Sequence, residues 1–237
     1  MVAIPEDAVV LITSGNSNNK NFGSGFIIAE DEHYSYVVSC AHVVQDVGNK
    51  PYITGLPTEI LANGSPDDLD ITLLKVSKLN KPCLNQFAQG IPKTNIAILG
   101  YSIFESRQVK RLLNGKLGKS IKLTAKNKNW EMAAFDISIQ DDDFSKLAGG
   151  YSGSPLCNSA GEVIGVVTHL RTGERGHALC ISNLNTLYPD IDSMVSIFKL
   201  QNTQHSTPTD IESWYEAPRS VLGEIWYSFK RIFDDRG

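Results

Sequence analysis

Ser152 stands in the stretch Leu147-Ala148-Gly149-Gly150-Tyr151-Ser152-Gly153-Ser154-Pro155-Leu156. A hydroxyl set between glycines is placed for nucleophilic chemistry, because glycines let a loop turn tightly and aim its amides at one point. The amides of Gly150 and Ser152 would form an oxyanion hole beside the hydroxyl. A serine hydroxyl is itself a poor nucleophile near neutral pH and needs a base within hydrogen-bond reach. An imidazole, which titrates at about pH 6.5, can take that proton and return it. Ala41-His42 lies upstream, and three aspartates (Asp67, Asp68, Asp70) stand between it and the serine. A carboxylate that accepts the far ring N–H fixes the tautomer and stabilises the cation. Together these groups would carry out acyl transfer. Taken alone, the serine stretch also reads as an ordinary Gly/Ser turn ahead of a strand. The chain order of imidazole, carboxylate and hydroxyl favours the chemical reading.

Such groups need a scaffold, and the pattern around them is one of short strands. Val9 to Ile12 is a β-like run, Ser14 to Asn21 a polar turn, and Phe26 to Ala29 a second run. The chain turns at Asp31-Glu32-His33 and returns over Tyr34 to Ser39, which predicts a barrel rather than alternating helices. His42 follows a strand end and opens a single helical turn. Tyr52 to Thr54 and Glu59 to Ala62 read as further strands. Asp70 directly precedes the apolar run Ile71 to Val76, whereas Asp67 and Asp68 fall in the turn Gly64 to Asp68, so Asp70 is the candidate. Residues 77–94 are a polar, proline-broken stretch, and a further β-like run opens at Asn95 to Tyr101. The basic stretch Lys110 to Lys128 reads as a solvated hairpin. Ala133 to Ile139 leads through Asp141-Asp142-Asp143 to the serine loop; that triplet lacks the alternating spacing of a calcium loop, and no metal is expected. Glu162 to His169 and Gly176 to Ile181 are the last strands. Apolar spacing over Asn183 to Leu200 predicts a helix packed on the barrel. A polar linker and an amphipathic, aromatic-rich tail follow.

Four blocks carry a resemblance: Gly23-Ser24-Gly25-Phe26-Ile27-Ile28, Ser39-Cys40-Ala41-His42-Val43-Val44, Asp70-Ile71-Thr72-Leu73-Leu74, and Gly149 to Pro155. In this order they resemble the signature blocks of trypsin-like serine peptidases, nearest in look to the bacterial glutamyl endopeptidases and high-temperature-requirement proteases. The resemblance implies an all-β fold of two six-stranded antiparallel barrels with the active site between them, plus a C-terminal helical extension. It implies a peptidase domain over residues 1–204, with barrel one over about 1–90 and barrel two over about 91–200, and a separate tail over 205–237. It assigns His42 as base, Asp70 as its orienting carboxylate, Ser152 as nucleophile and the amides of Gly150 and Ser152 as oxyanion hole, with no cofactor. It also places Lys146, Leu147, Thr168 and His169 at the substrate pocket, where a lysine or histidine would favour an acidic residue before the scissile bond. Three departures stand out. Tyr151 replaces an aspartate that secreted digestive members pair with a cleaved N-terminus, Ser154 replaces a glycine, and Cys40 replaces a small residue.

Composition sets the outer bounds. A net charge of −4 gives no electrostatic case for nucleic acid. No run of 18 apolar residues is present, so no membrane span is expected. Four cysteines are sparse for a disulfide scaffold, and the start lacks a signal-peptide pattern; both lead to an expectation of free thiols and a cytoplasmic location. The expected partners are a protein or peptide substrate and, through the tail, a protein partner or further domain. Two other functions compete. One is a protease-fold binding module that has lost catalysis; the other is an esterase of another fold, but there the serine sits between strand and helix with histidine last.

Overall fold

A computed structural model describes residues 4–124, 131–140, 147–172 (backbone alone over 169–172) and 174–191. The chain divides into two units, Met1–Gln201 and Asn202–Gly237, and the second lies outside the described residues. With it go the expected linker and tail.

After a single 3-10 turn at Glu6–Ala8, six strands close the first barrel: β1 (Val9–Ser14), β2 (Phe22–Glu30), β3 (Tyr34–Ser39), β4 (Pro51–Ile53), β5 (Leu56–Asn63) and β6 (Thr72–Ser77). The order around it is β1-β2-β3-β6-β5-β4, and the pair Ile12 and Ile53 closes the ring. Helix α1 (Ala41–Asp46) leaves the end of β3. The second barrel comprises β7 (Asn95–Phe104), β8 (Arg107–Thr124), β9 (Glu131–Ile139), β10 (Pro155–Asn158), β11 (Val163–Thr172) and β12 (Arg175–Cys180). Its order is β10-β11-β12-β9-β8-β7, closed where Leu156 faces Ile98. The expected double barrel is therefore the observed one.

Alternating side chains fill both interiors. Ile12, Phe26, Val37 and Leu73 are wholly buried in barrel one, and Ile98, Leu113 and Leu156 in barrel two. Each such burial stabilises by roughly 1.5–3 kcal/mol. The crossing segment between Ser77 and Asn95 is pinned to both barrels. The Leu84 N–H donates to the Ile27 carbonyl at 2.7 Å, the Ala88 N–H to Val163 at 3.0 Å, and the Lys93 N–H to Leu117 at 2.7 Å.

Two expected elements differ. The basic stretch from Lys110 is no hairpin of its own: as far as Thr124 it is the body of the long strand β8, and the reversal comes earlier, at Glu105 and Ser106, both left-handed. The helix expected over Asn183 to Leu200 is interrupted: α2 covers Asn183–Leu187, Ile191 is helical again, and residues 192–200 lie outside the described residues. Tyr188 leaves the helical region at φ −140° because Pro189 follows, and a residue before proline is pushed out of the α conformation.

Candidate active site

Strand β3 delivers the chain to Cys40 in extended conformation, and α1 starts at the next residue. His42 therefore sits in the first helical turn at the rim of barrel one. Asp70, just ahead of β6, meets it twice. Its Oδ1 accepts the backbone N–H of His42 at 2.9 Å, and its Oδ2 lies 2.6 Å from Nδ1 of the ring. Two contacts on one carboxylate fix both the position of the residue and the plane of the ring. Asp70 is 1% exposed, so little water competes for these bonds. Burial pulls the His42 pKa down, but the hydrogen bond and charge of Asp70 outweigh it, and the net shift is upward.

Ser152 arrives from barrel two on a loop shaped by glycines. Gly150 has φ +104°, and a Cβ there would lie 2.3 Å from the Phe22 ring and 2.7 Å from the Tyr101 carbonyl oxygen. Gly153 has φ +85°, and its Cβ would lie 2.0 Å from the Ser24 carbonyl oxygen. Conformation and crowding both require glycine at these two positions. Between them the Tyr151 side chain turns into the apolar core of barrel two, at 1% exposure. Packing in the apolar core thus holds the residue that the resemblance would make an ion-paired aspartate. Among the described residues, neither the Gly150 nor the Ser152 N–H donates to a backbone carbonyl. The Ser152 hydroxyl donates to the Thr168 carbonyl at 3.1 Å. The neighbouring Val167 carbonyl accepts the Gly153 N–H at 2.8 Å and the Cys40 thiol at 3.2 Å, so the serine loop and the strand end before His42 share one acceptor.

Ser24, on β2, was not singled out in the sequence, since a serine inside Gly-Ser-Gly carries no pattern of its own. It is fully buried, and it ties the two barrels together. Its N–H donates to the Ser152 carbonyl at 2.9 Å. Its hydroxyl accepts the Tyr101 N–H at 2.8 Å and donates to the Gly150 carbonyl at 2.7 Å. Its own carbonyl accepts the Ser39 hydroxyl at 2.7 Å. The hydroxyl thus sets the peptide plane next to the Gly150 amide. Ser24→Ala strands two buried polar groups, at about 1–3 kcal/mol each. The expected result is a melting temperature lower by several degrees and a kcat about tenfold lower with KM little changed, since a loosened donor acts only where charge develops. An unchanged melting curve would show that the bridge is not formed.

The proposed pocket residues are placed unevenly. Thr168 is buried beside Ser152. Leu147 is 3% exposed and packs in the core of barrel two with Tyr151 and Val167. Lys146 and the His169 side chain lie outside the described residues, as does the aspartate triplet at 141–143. All four cysteines are free; Cys40 and Cys157 are buried, and Cys83 and Cys180 half-buried. Burial, and then the charge of Asp70, pushes the Cys40 thiol well up, so it stays protonated. Among the described residues no helix is long and apolar enough to cross a membrane.

This architecture and these blocks have known counterparts. A probable periplasmic serine endoprotease, DegP-like, of Chlamydia muridarum is 31% identical over 159 residues, which is 65% of this chain and 29% of that protein. The chain therefore spans under a third of that relative's length. The Rv3671c protease of M. tuberculosis in its active form shares the fold with a TM-score of 0.59 at 21% identity, over 90% of this chain and 92% of that one. The MamO protease domain from Magnetospirillum magneticum does so with a TM-score of 0.55 at 17% identity, over 76% of this chain and 95% of that one. Residues 23–166, more than half of the sequence, match the trypsin-like peptidase domain, and the chain belongs to that family.

Proposed function

We propose that the protein is a serine endopeptidase that cleaves protein or peptide substrates through Ser152, His42 and Asp70. The observation that carries this reading is the double engagement of His42 by Asp70. It holds the ring proton on Nδ1 and leaves Nε2 to act as base. For attack, the Ser152 hydroxyl turns from the Thr168 carbonyl and passes its proton to Nε2 as its oxygen bonds to the substrate carbonyl carbon. The negative oxygen that forms is held by the amides of Gly150 and Ser152. His42 then gives the proton to the leaving amine, and water repeats the sequence on the acyl-enzyme. The same proposal extends to a role as the protease module of a larger, regulated assembly.

A fluorophosphonate probe tests this directly. It should label the wild-type chain once, at Ser152, and a chain that takes no label is a binding module with a protease fold. A pH profile gives a second check. His42 must be unprotonated to act, and Asp70 holds its pKa above the ordinary value. The acidic limb of kcat/KM should therefore lie above pH ~6.5. In Asp70→Asn, what remains of the limb should move to lower pH. A limb that stays in place would mean that some other group sets it.

A further inference from the structure

The catalytic pair has a third donor behind it. The Cys40 sulfur, the His42 ring nitrogen and an Asp70 carboxylate oxygen all lie within 4.8 Å of one another. Cys40 is fully buried and Asp70 nearly so, while the His42 side chain is 24% exposed. Thiolate, imidazole and carboxylate are a donor set suited to a thiophilic divalent cation such as zinc or cadmium. At ordinary metal–ligand lengths, donors on a tetrahedral ion sit roughly 3.3–3.7 Å apart. The 2.6 Å gap between Nδ1 and Oδ2 must then widen by less than about 1 Å.

We propose that Cys40, His42 and Asp70 form an inhibitory site for a thiophilic divalent cation. The inference rests on the reading of His42 as the base. When the ion binds, Nδ1 gives its lone pair to the metal, and the ring proton moves to Nε2. The thiol proton leaves to solvent, so one proton is released per ion bound. The dipositive ion then stands between one thiolate and one carboxylate, and the charges balance. The nitrogen that should accept the serine proton has become a donor. The enzyme is switched off through its tautomer, with no change in the serine loop. Cys40 plays no part in peptide cleavage itself; its thiol otherwise donates to the Val167 carbonyl.

Cadmium is the probe, because a cadmium–thiolate bond gives a charge-transfer absorption in the ultraviolet. Full-length protein is titrated with Cd2+ while absorbance and cleavage rate are followed together. The wild type should gain a saturable absorption at one equivalent and lose activity about tenfold or more, as a ring in the wrong tautomer requires. A chelator should restore both. Cys40→Ala should lose both responses, its inhibition being read against its own metal-free rate, with Cys40→Ser as the alternative if the alanine variant does not fold. Ser152→Ala should retain the absorption, since the serine is not a donor. That variant is inactive, so binding is read without activity. The proposal is overturned if the Cys40 variants are inhibited like the wild type, or if the absorption persists in them. Should the absorption follow the proposal in a chain that never cleaves, the metal site stands and the peptidase reading fails.

Discussion

Ser152→Ala should abolish peptide cleavage and leave both barrels folded, with a loss in kcat on the order of 10⁴–10⁶. The fold survives because the loop is held by its backbone. The Ser152 carbonyl accepts the Ser24 N–H, the Gly153 N–H reaches Val167, and the Ser154 N–H closes the turn on Tyr151. The hydroxyl adds one bond, to Thr168, so its removal should cost only about 1 kcal/mol and move the melting temperature by a few degrees. Cleavage of a casein-like substrate and a thermal melt on the same preparation decide the matter. Wild-type cleavage by the alanine variant would remove Ser152 from the mechanism. A collapsed melt would instead make the residue structural.

Asp70→Asn should be nearly as damaging, at about 10⁴ in kcat. The geometry says why. Oδ1 is committed to the His42 backbone N–H, so the amide of an asparagine keeps its carbonyl there. Its NH2 group then falls where Oδ2 was, 2.6 Å from Nδ1. A donor in that place demands an acceptor and drives the ring proton to Nε2, which is the wrong tautomer for a base. The imidazolium also loses its countercharge. Asp68→Asn, on the turn ahead, should change kcat/KM little. Equal losses at both positions would mean that the loop, rather than the Asp70 carboxylate, carries the effect.

The pairing of His42 with Asp70 was legible because each sits in a local pattern: His42 at a strand end, Asp70 ahead of an apolar run. Strand spacing pointed to an all-β barrel, and the family resemblance to two of them. Ser24 was not legible, since its four hydrogen bonds reach Gly150, Ser152, Tyr101 and Ser39, which only the closed barrels bring to it. Cys40 is a similar case: the sequence places it two positions before His42, but only the fold sets it against Asp70. Leu147, which the family resemblance places at the pocket, is buried in the core of barrel two. The early end of α2 had a visible signal in Pro189, which apolar spacing alone overlooked. The basic β8 misled in another way, because charges on the outer face of a strand and charges on a hairpin look alike in a sequence.

The seam through Ser24 also bears on how the protein comes into being. A ribosome adds roughly 5–20 residues per second, so the 82 positions from Asp70 to Ser152 take several seconds to emerge. Through that interval the nascent chain holds His42 and Asp70 without Ser152. When Ser152 does appear, its loop still lacks a shape, because the Gly150 carbonyl, the Ser152 carbonyl and the Tyr101 amide wait for a partner on a strand made long before. The loop that carries Ser152 thus takes its shape late and all at once, with the docking of the second barrel.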